Sequence, residues 1–174
     1  MLRAHLLEGA AFERIAILDA LVLPPWLSEP RSSTWHVQGY AEAYEAMPDH
    51  LFEAFFSAYL GEANSELGEE AFRAYLAPWR EEQGRRAFVR QALQFEEWHT
   101  GELEPRLGAV EVPVLVAWGE EDGWLDPSQA RMLREKIPNS ELEFIPKAGH
   151  FVQEDAPGEV VKALVNFFSE RGKR

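Results

Sequence analysis

An α/β fold, a small parallel sheet flanked by helices and interrupted by an all-helical segment, is what this sequence predicts, and three observations carry that prediction. Two short apolar runs, Val112 to Trp118 and Leu142 to Ile145, are joined by a helix-forming stretch, the strand–helix–strand pattern of a parallel pair with a right-handed crossover. A third run, Arg14 to Asp19, lies far upstream. Between it and Val112 the chain turns to aromatic residues at helical spacing, so the order αβ, all-α, βαβα argues for one sheet with a helical insertion. About three parallel strands are expected.

Each element has its own signal. Met1 to Glu8 is predicted to be helical, with Leu2, Leu6 and Leu7 on one face and Gly9 as the C-terminal stop. Arg14 to Asp19 is a buried-strand candidate, closed off by Pro24-Pro25. Phe52, Phe55, Phe56, Tyr59 and Leu60 fall at i, i+3, i+4, i+7 and i+8, and Phe72, Tyr75, Leu76 and Trp79 repeat the pattern, which predicts two amphipathic helices. A third is expected from about Glu81 to Trp98, with Phe88, Ala92 and Phe95 on one side. Asp126-Pro127-Ser128-Gln129 is a helix start with Asp126 as N-cap. Pro157 opens a last helix whose Val160, Val161, Leu164, Phe167 and Phe168 are expected to form a buried stripe, stopped by Gly172. These boundaries divide the chain into an α/β core (residues 1–23 and 105–174) and the helical insertion (24–104).

Composition excludes several function classes. Thirty acidic against 17 basic residues give a net charge of −13, which repels phosphate backbones and anionic lipid, so neither nucleic acid nor a membrane is an expected partner. Zero cysteines remove disulfides, thiolate metal sites and Cys nucleophiles. No apolar stretch approaches the roughly 18 residues of a bilayer span. Met1 to Gly9 carries charges and no small-residue cleavage site, so the expected compartment is the cytoplasm.

The stretch from Val112 to His150 organises the rest. Its first run ends in Gly119-Glu120-Glu121-Asp122 and its second in Pro146-Lys147-Ala148-Gly149-His150-Phe151. Parallel neighbours lie about 4.8 Å apart, so both loops would emerge at one sheet edge, where open α/β sheets bind ligands. Asp122 and His150 are then candidates for the orienting acid and the general base of a catalytic triad. Asp126 is better explained as a helix cap. An acidic Ca²⁺ loop through Glu120, Glu121, Asp122 and Asp126 fails the D-x-D-x-D-G spacing, so no metal is expected. His5, His36, His50 and His99 show no i, i+4 pairing and carry no assignment.

The segments Val114-Leu115-Val116-Ala117-Trp118-Gly119-Glu120-Glu121-Asp122 and Ile145-Pro146-Lys147-Ala148-Gly149-His150-Phe151 resemble the acid and histidine segments of the α/β-hydrolases. The insertion resembles that family's helical cap, and Arg14 to Asp19 the strand that enters the cap. The resemblance spans nearly the whole chain but only the family's C-terminal half. It implies a cofactor-independent hydrolase acting on a small apolar substrate, at an ester, an epoxide or a carbon–halogen bond. His150 would be the general base and Asp122 its orienting acid, with Asp19 a rival because some relatives carry the acid there. Trp124 and Phe151 would wall the pocket, with Trp26, Trp35 and Trp98 as cap contributors.

The family's nucleophile sits on a G-x-S-x-G turn, or one with Asp for Ser, ahead of the cap. No serine in these residues has glycines two positions to each side, and neither Asp19 nor Asp122 does. Met1 to Gly9 resembles the helix that follows that turn, in the branch with an Asp nucleophile. Negligible activity is therefore expected of the chain alone. The alternative expectation is a non-catalytic remnant serving as a binding or self-association module, whose first strand would present an open edge to a second copy or a separately encoded N-terminal half.

Overall fold

A computed structural model describes residues 1–24, 39–94 and 96–169. Its centre is the strand β2 (Val114–Gly119), all six residues of which are buried. A strand that is apolar at every position has two covered faces, and the packing shows both. Val114, Val116 and Trp118 face a cluster that includes Leu2, Ile15, Ile17, Ala130, Leu133 and Ile137, while Leu115 and Ala117 pack against Ala163 and Phe167. The neighbours are β1 (Ile15–Leu18) and β3 (Ser140–Ile145). Both pair with β2 in parallel, giving the order β1-β2-β3 with Leu18 opposite Ala117 and Gly119 opposite Ile145. All three carboxyl ends therefore reach one edge of the sheet.

Helix α1 (Leu2–Glu8) ends at Gly9, whose φ of 71° is left-handed as a helix stop requires. The inserted segment contains α2 (Ala41–Glu45), α3 (Asp49–Gly61), α4 (Glu69–Leu76), α5 (Glu82–Leu93) and the short α6 (Trp98–Gly101). Phe88 of α5 is the hub of its aromatic core, with ring centroids 5.8 Å from Phe52, 5.9 Å from Phe56 and 5.7 Å from Tyr59. Edge-to-face rings at such distances add to the area they bury. Helix α7 (Ser128–Lys136) carries β2 over to β3, and α8 (Val152–Asp155) and α9 (Pro157–Ser169) close the chain.

Three sequence expectations need correction. The helix predicted from Glu81 to Trp98 ends at Leu93, and Trp98 starts a separate turn, 57% exposed; the buried side of α5 is Arg85, Val89 and Ala92. The stripe of α9 is Val160, Ala163 and Phe167, whereas Val161 and Phe168 are 58% and 52% exposed. Both point away because they lie one position past the buried residues, about 100° round the helix. Helix α7 begins at Ser128, not Pro127, and Asp126 accepts the Ser128 N–H at 2.8 Å. The Ser128 hydroxyl and N–H hold that carboxyl below its ordinary range, as expected of a capping acid. Trp26, Trp35, His36, Phe95 and Gly172 lie outside the described residues.

Candidate active site

Parallel pairing places the loops after β2 and β3 side by side, and their side chains meet. His150 Nδ1 lies 3.0 Å from Asp122 Oδ2. A carboxylate can only accept, so the imidazole donates its Nδ1 proton. The other oxygen, Oδ1, accepts the N–H groups of Trp124 at 2.8 Å and Leu125 at 2.9 Å. The Asp122 side chain is wholly buried and that of His150 is 17% exposed. A buried charge needs such donors, and three of them fix the carboxylate so that it holds one ring orientation and leaves Nε2 as the nitrogen for proton exchange.

Aromatic rings wall the pair. Trp124 stacks obliquely on His150 with centroids 4.7 Å apart, Phe151 meets the imidazole edge-on at 5.4 Å, and Tyr59 from α3 packs on Trp124 at 4.8 Å. The Trp124 indole N–H is buried without a hydrogen-bond partner among the described residues. Trp124 and Phe151, both expected from sequence, are thus beside the histidine.

The turn after α3 was not anticipated. The Ala63 carbonyl accepts the backbone N–H of His150 at 2.9 Å and of Gly123 at 3.3 Å. Asn64 donates its side-chain amide to the Glu121 carbonyl at 2.8 Å, and the Ser65 hydroxyl accepts the Phe151 N–H at 2.9 Å. One segment of the insertion thereby ties down both loops. Asp155 completes the clamp, accepting Gly149 N–H at 2.8 Å and Glu66 N–H at 2.9 Å with its two oxygens. Asp155→Ala leaves two donors without their acceptor and is expected to lower stability by about 2 kcal/mol. Urea unfolding measures it, and Asp155→Asn, which retains one carbonyl acceptor, should lose less.

Asp19 also reaches this edge. It follows β1 with a φ of 37°, and its Oδ1 accepts the Gly119 N–H at 2.8 Å. The structure brings it to Asp122 but gives the imidazole to Asp122. Among the described residues no group of three or more His, Asp or Glu side chains converges as a metal site, and no helix is long and apolar enough to cross a membrane.

Comparison with known proteins identifies the fold. A family described as "alpha/beta hydrolase fold" matches residues 22–157. The uncharacterized hydrolase YugF of Bacillus subtilis is 32% identical over 104 residues, 59% of this chain and 37% of that protein. Monoacylglycerol lipase ABHD6 of Bos taurus is 36% identical over 67 residues, 38% of this chain and 20% of that protein. Epoxide hydrolase 3 of Xenopus tropicalis is 36% identical over 60 residues, 34% of this chain and 16% of that one. Among solved structures, an alpha/beta hydrolase fold protein from Burkholderia ambifaria shares 34% identity at a TM-score of 0.87, covering 95% of this chain and 60% of that chain. The chain thus spans less than two thirds of the relatives it matches.

Proposed function

The chain belongs to the α/β-hydrolase fold family, and from that membership we propose that it is the cap and acid–base portion of a cofactor-independent hydrolase acting on a small apolar substrate. The observation that carries this is the 3.0 Å bond between His150 Nδ1 and a buried Asp122. His150 accepts a proton at Nε2 from the nucleophile or from water and returns it to the leaving group, while Asp122 fixes the tautomer and stabilises the imidazolium. Trp124 and Phe151 give the reacting group an apolar wall. The bond cleaved is an ester, an epoxide or a carbon–halogen bond, with names such as monoacylglycerol lipase and epoxide hydrolase among the relatives in keeping with the first two.

The nucleophile and the oxyanion donors would come from the remainder of the fold, docked along β1. Its sequence Ile-Ala-Ile-Leu puts no charge on an edge strand, whereas β3, the other edge, carries exposed Glu141 and Glu143. Charged edges resist pairing and uncharged ones invite it. An open groove of about 420 Å³ runs beside β1, lined by Leu2, Ile17, Leu18, Leu21, Val22 and Leu103 among others. Arg14, just before β1, donates to the Phe167 carbonyl of α9 at 2.7 Å. A parallel strand with its helix is the kind of partner that fits this edge, and the part of the Burkholderia relative's chain outside the match is the candidate source.

The test supplies that part of the relative's fold to this chain, fused or mixed, and assays short-chain esters, epoxides and haloalkanes. Hydrolysis by the completed enzyme and none by either piece is the expected result. No turnover of any of the three by a folded complex would refute the proposal, and a rate from the purified chain alone that His150→Ala abolishes would refute the need for the partner. A homodimer on size exclusion that turns nothing over would instead favour the self-association module.

A further inference from the structure

Asp19 is a buried acid to which the acid–base pair gives no task. It is 7% exposed, stands at the turn after β1 with backbone strain that few non-glycine residues accept, φ 37°, and reaches across to β2 to take the Gly119 N–H at 2.8 Å. That bond uses Oδ1. Oδ2 is buried with no donor on it among the described residues, a costly state for an ionised oxygen, and its carboxyl shares a side-chain hydrogen bond with Asp122, which only a protonated Asp19 or Asp122 can donate. Two acidic groups face it, Asp122 from the loop after β2 and Asp155 from α8; Asp122 carries His150 on its Oδ2 and two backbone N–H groups on Oδ1, and Asp155 is engaged with Gly149 and Glu66. No lysine or arginine stands among the groups that act on it.

We propose that Asp19 is a positioning residue that works as a neutral carboxylic acid, bracing the ends of β1 and β2 through Gly119 while keeping the space beside Asp122 free of a second negative charge. When its proton leaves for solvent, a second carboxylate forms next to Asp122, and the histidine on Asp122 senses it. The inference rests on the Asp122–His150 reading and adds a third residue, which touches neither substrate nor nucleophile. Burial, then the charge of Asp122, push the Asp19 carboxyl up to about 8 against the pull of the Gly119 N–H, so the proton is held at neutral pH.

The experiment follows the His150 ring of the full labelled chain by NMR from mildly acid to alkaline pH, assigned with His150→Gln. Wild type should show, beyond the ring's own protonation, a second inflection centred at about pH 8. Asp19→Asn should abolish that inflection and leave the first. A purely structural brace would not produce it, so an absent inflection in wild type, or one that persists in Asp19→Asn, overturns the proposal. Should Asp19→Asn fail to fold, infrared spectra of wild type decide: a protonated-carboxyl band at neutral pH that bleaches with the same midpoint supports it, and no band refutes it. Asp122→Asn separates the two levels. Loss of the low-field Nδ1–H resonance in that variant upholds the pair whatever Asp19 does, and its retention refutes the pair itself.

Discussion

Replacing Asp122 with asparagine in the completed enzyme should lower kcat/KM by about 10⁴, and His150→Ala by at least as much. The size follows from which proton goes where. The asparagine carbonyl can still take the N–H groups of Trp124 and Leu125 that Asp122 Oδ1 accepts at 2.8 and 2.9 Å. Its amide nitrogen then occupies the Oδ2 position, 3.0 Å from His150 Nδ1, and a donor faces a donor. The imidazole answers by moving its proton to Nε2, the nitrogen that has to accept one, and the buried negative charge that would stabilise the imidazolium is gone. About 10⁴ corresponds to roughly 5.4 kcal/mol of transition-state stabilisation, well beyond what a single neutral hydrogen bond contributes. A variant that melts within a few degrees of wild type yet loses this much activity places the loss in chemistry. Retention of a tenth of the wild-type rate would remove Asp122 from the mechanism.

How much of this was legible in the sequence depended on whether a side chain or a backbone atom did the work. The fully apolar β2 could be read because strand burial is written in side chains, and its register with β3 then brings Asp122 and His150 together. The clamp at Ala63 could not be read, since its acceptor is a carbonyl that every residue carries; only the Gly61 to Ser65 run after a strong helix hinted at a turn of consequence. Asp19 was legible as a rival acid but not as a neutral neighbour of Asp122, because a proton's location depends on burial and on charges distant in sequence. The α9 stripe misled for a different reason: seven apolar residues in the nine positions 160–168 cover more than one face, and periodicity alone does not choose between them. Val161 and Phe168 fell on the exposed side. The break after Leu93 had no glycine or proline to announce it.

Gly149→Ala is expected to damage both stability and the site, although it adds a single methyl group. The glycine has no positive φ to protect; its constraint is space. A Cβ there would lie 2.1 Å from the Asn64 carbonyl oxygen and 2.6 Å from that of Ala63, both backbone atoms that cannot swing aside as a side chain would. The turn after α3 would have to retreat, and that movement breaks the Ala63 bond to the His150 N–H, the Asn64 bond to Glu121 and the Ser65 bond to Phe151 together. Overpacking against backbone with loss of these bonds should lower stability by about 3 kcal/mol. The histidine loop, released from the insertion, would sit on the order of 1 Å out of place, which costs about 10² in rate even where the protein stays folded. Gly9→Ala is the control. A Cβ at Gly9 meets nothing within 4 Å, and its only constraint is a φ of 71°, so about 1 kcal/mol and no change in rate are expected. Urea midpoints with kcat/KM for the two variants measure both effects. A loss at Gly149→Ala no larger than that at Gly9→Ala would show that the turn after α3 yields to the added methyl group at little cost and would overturn the expectation.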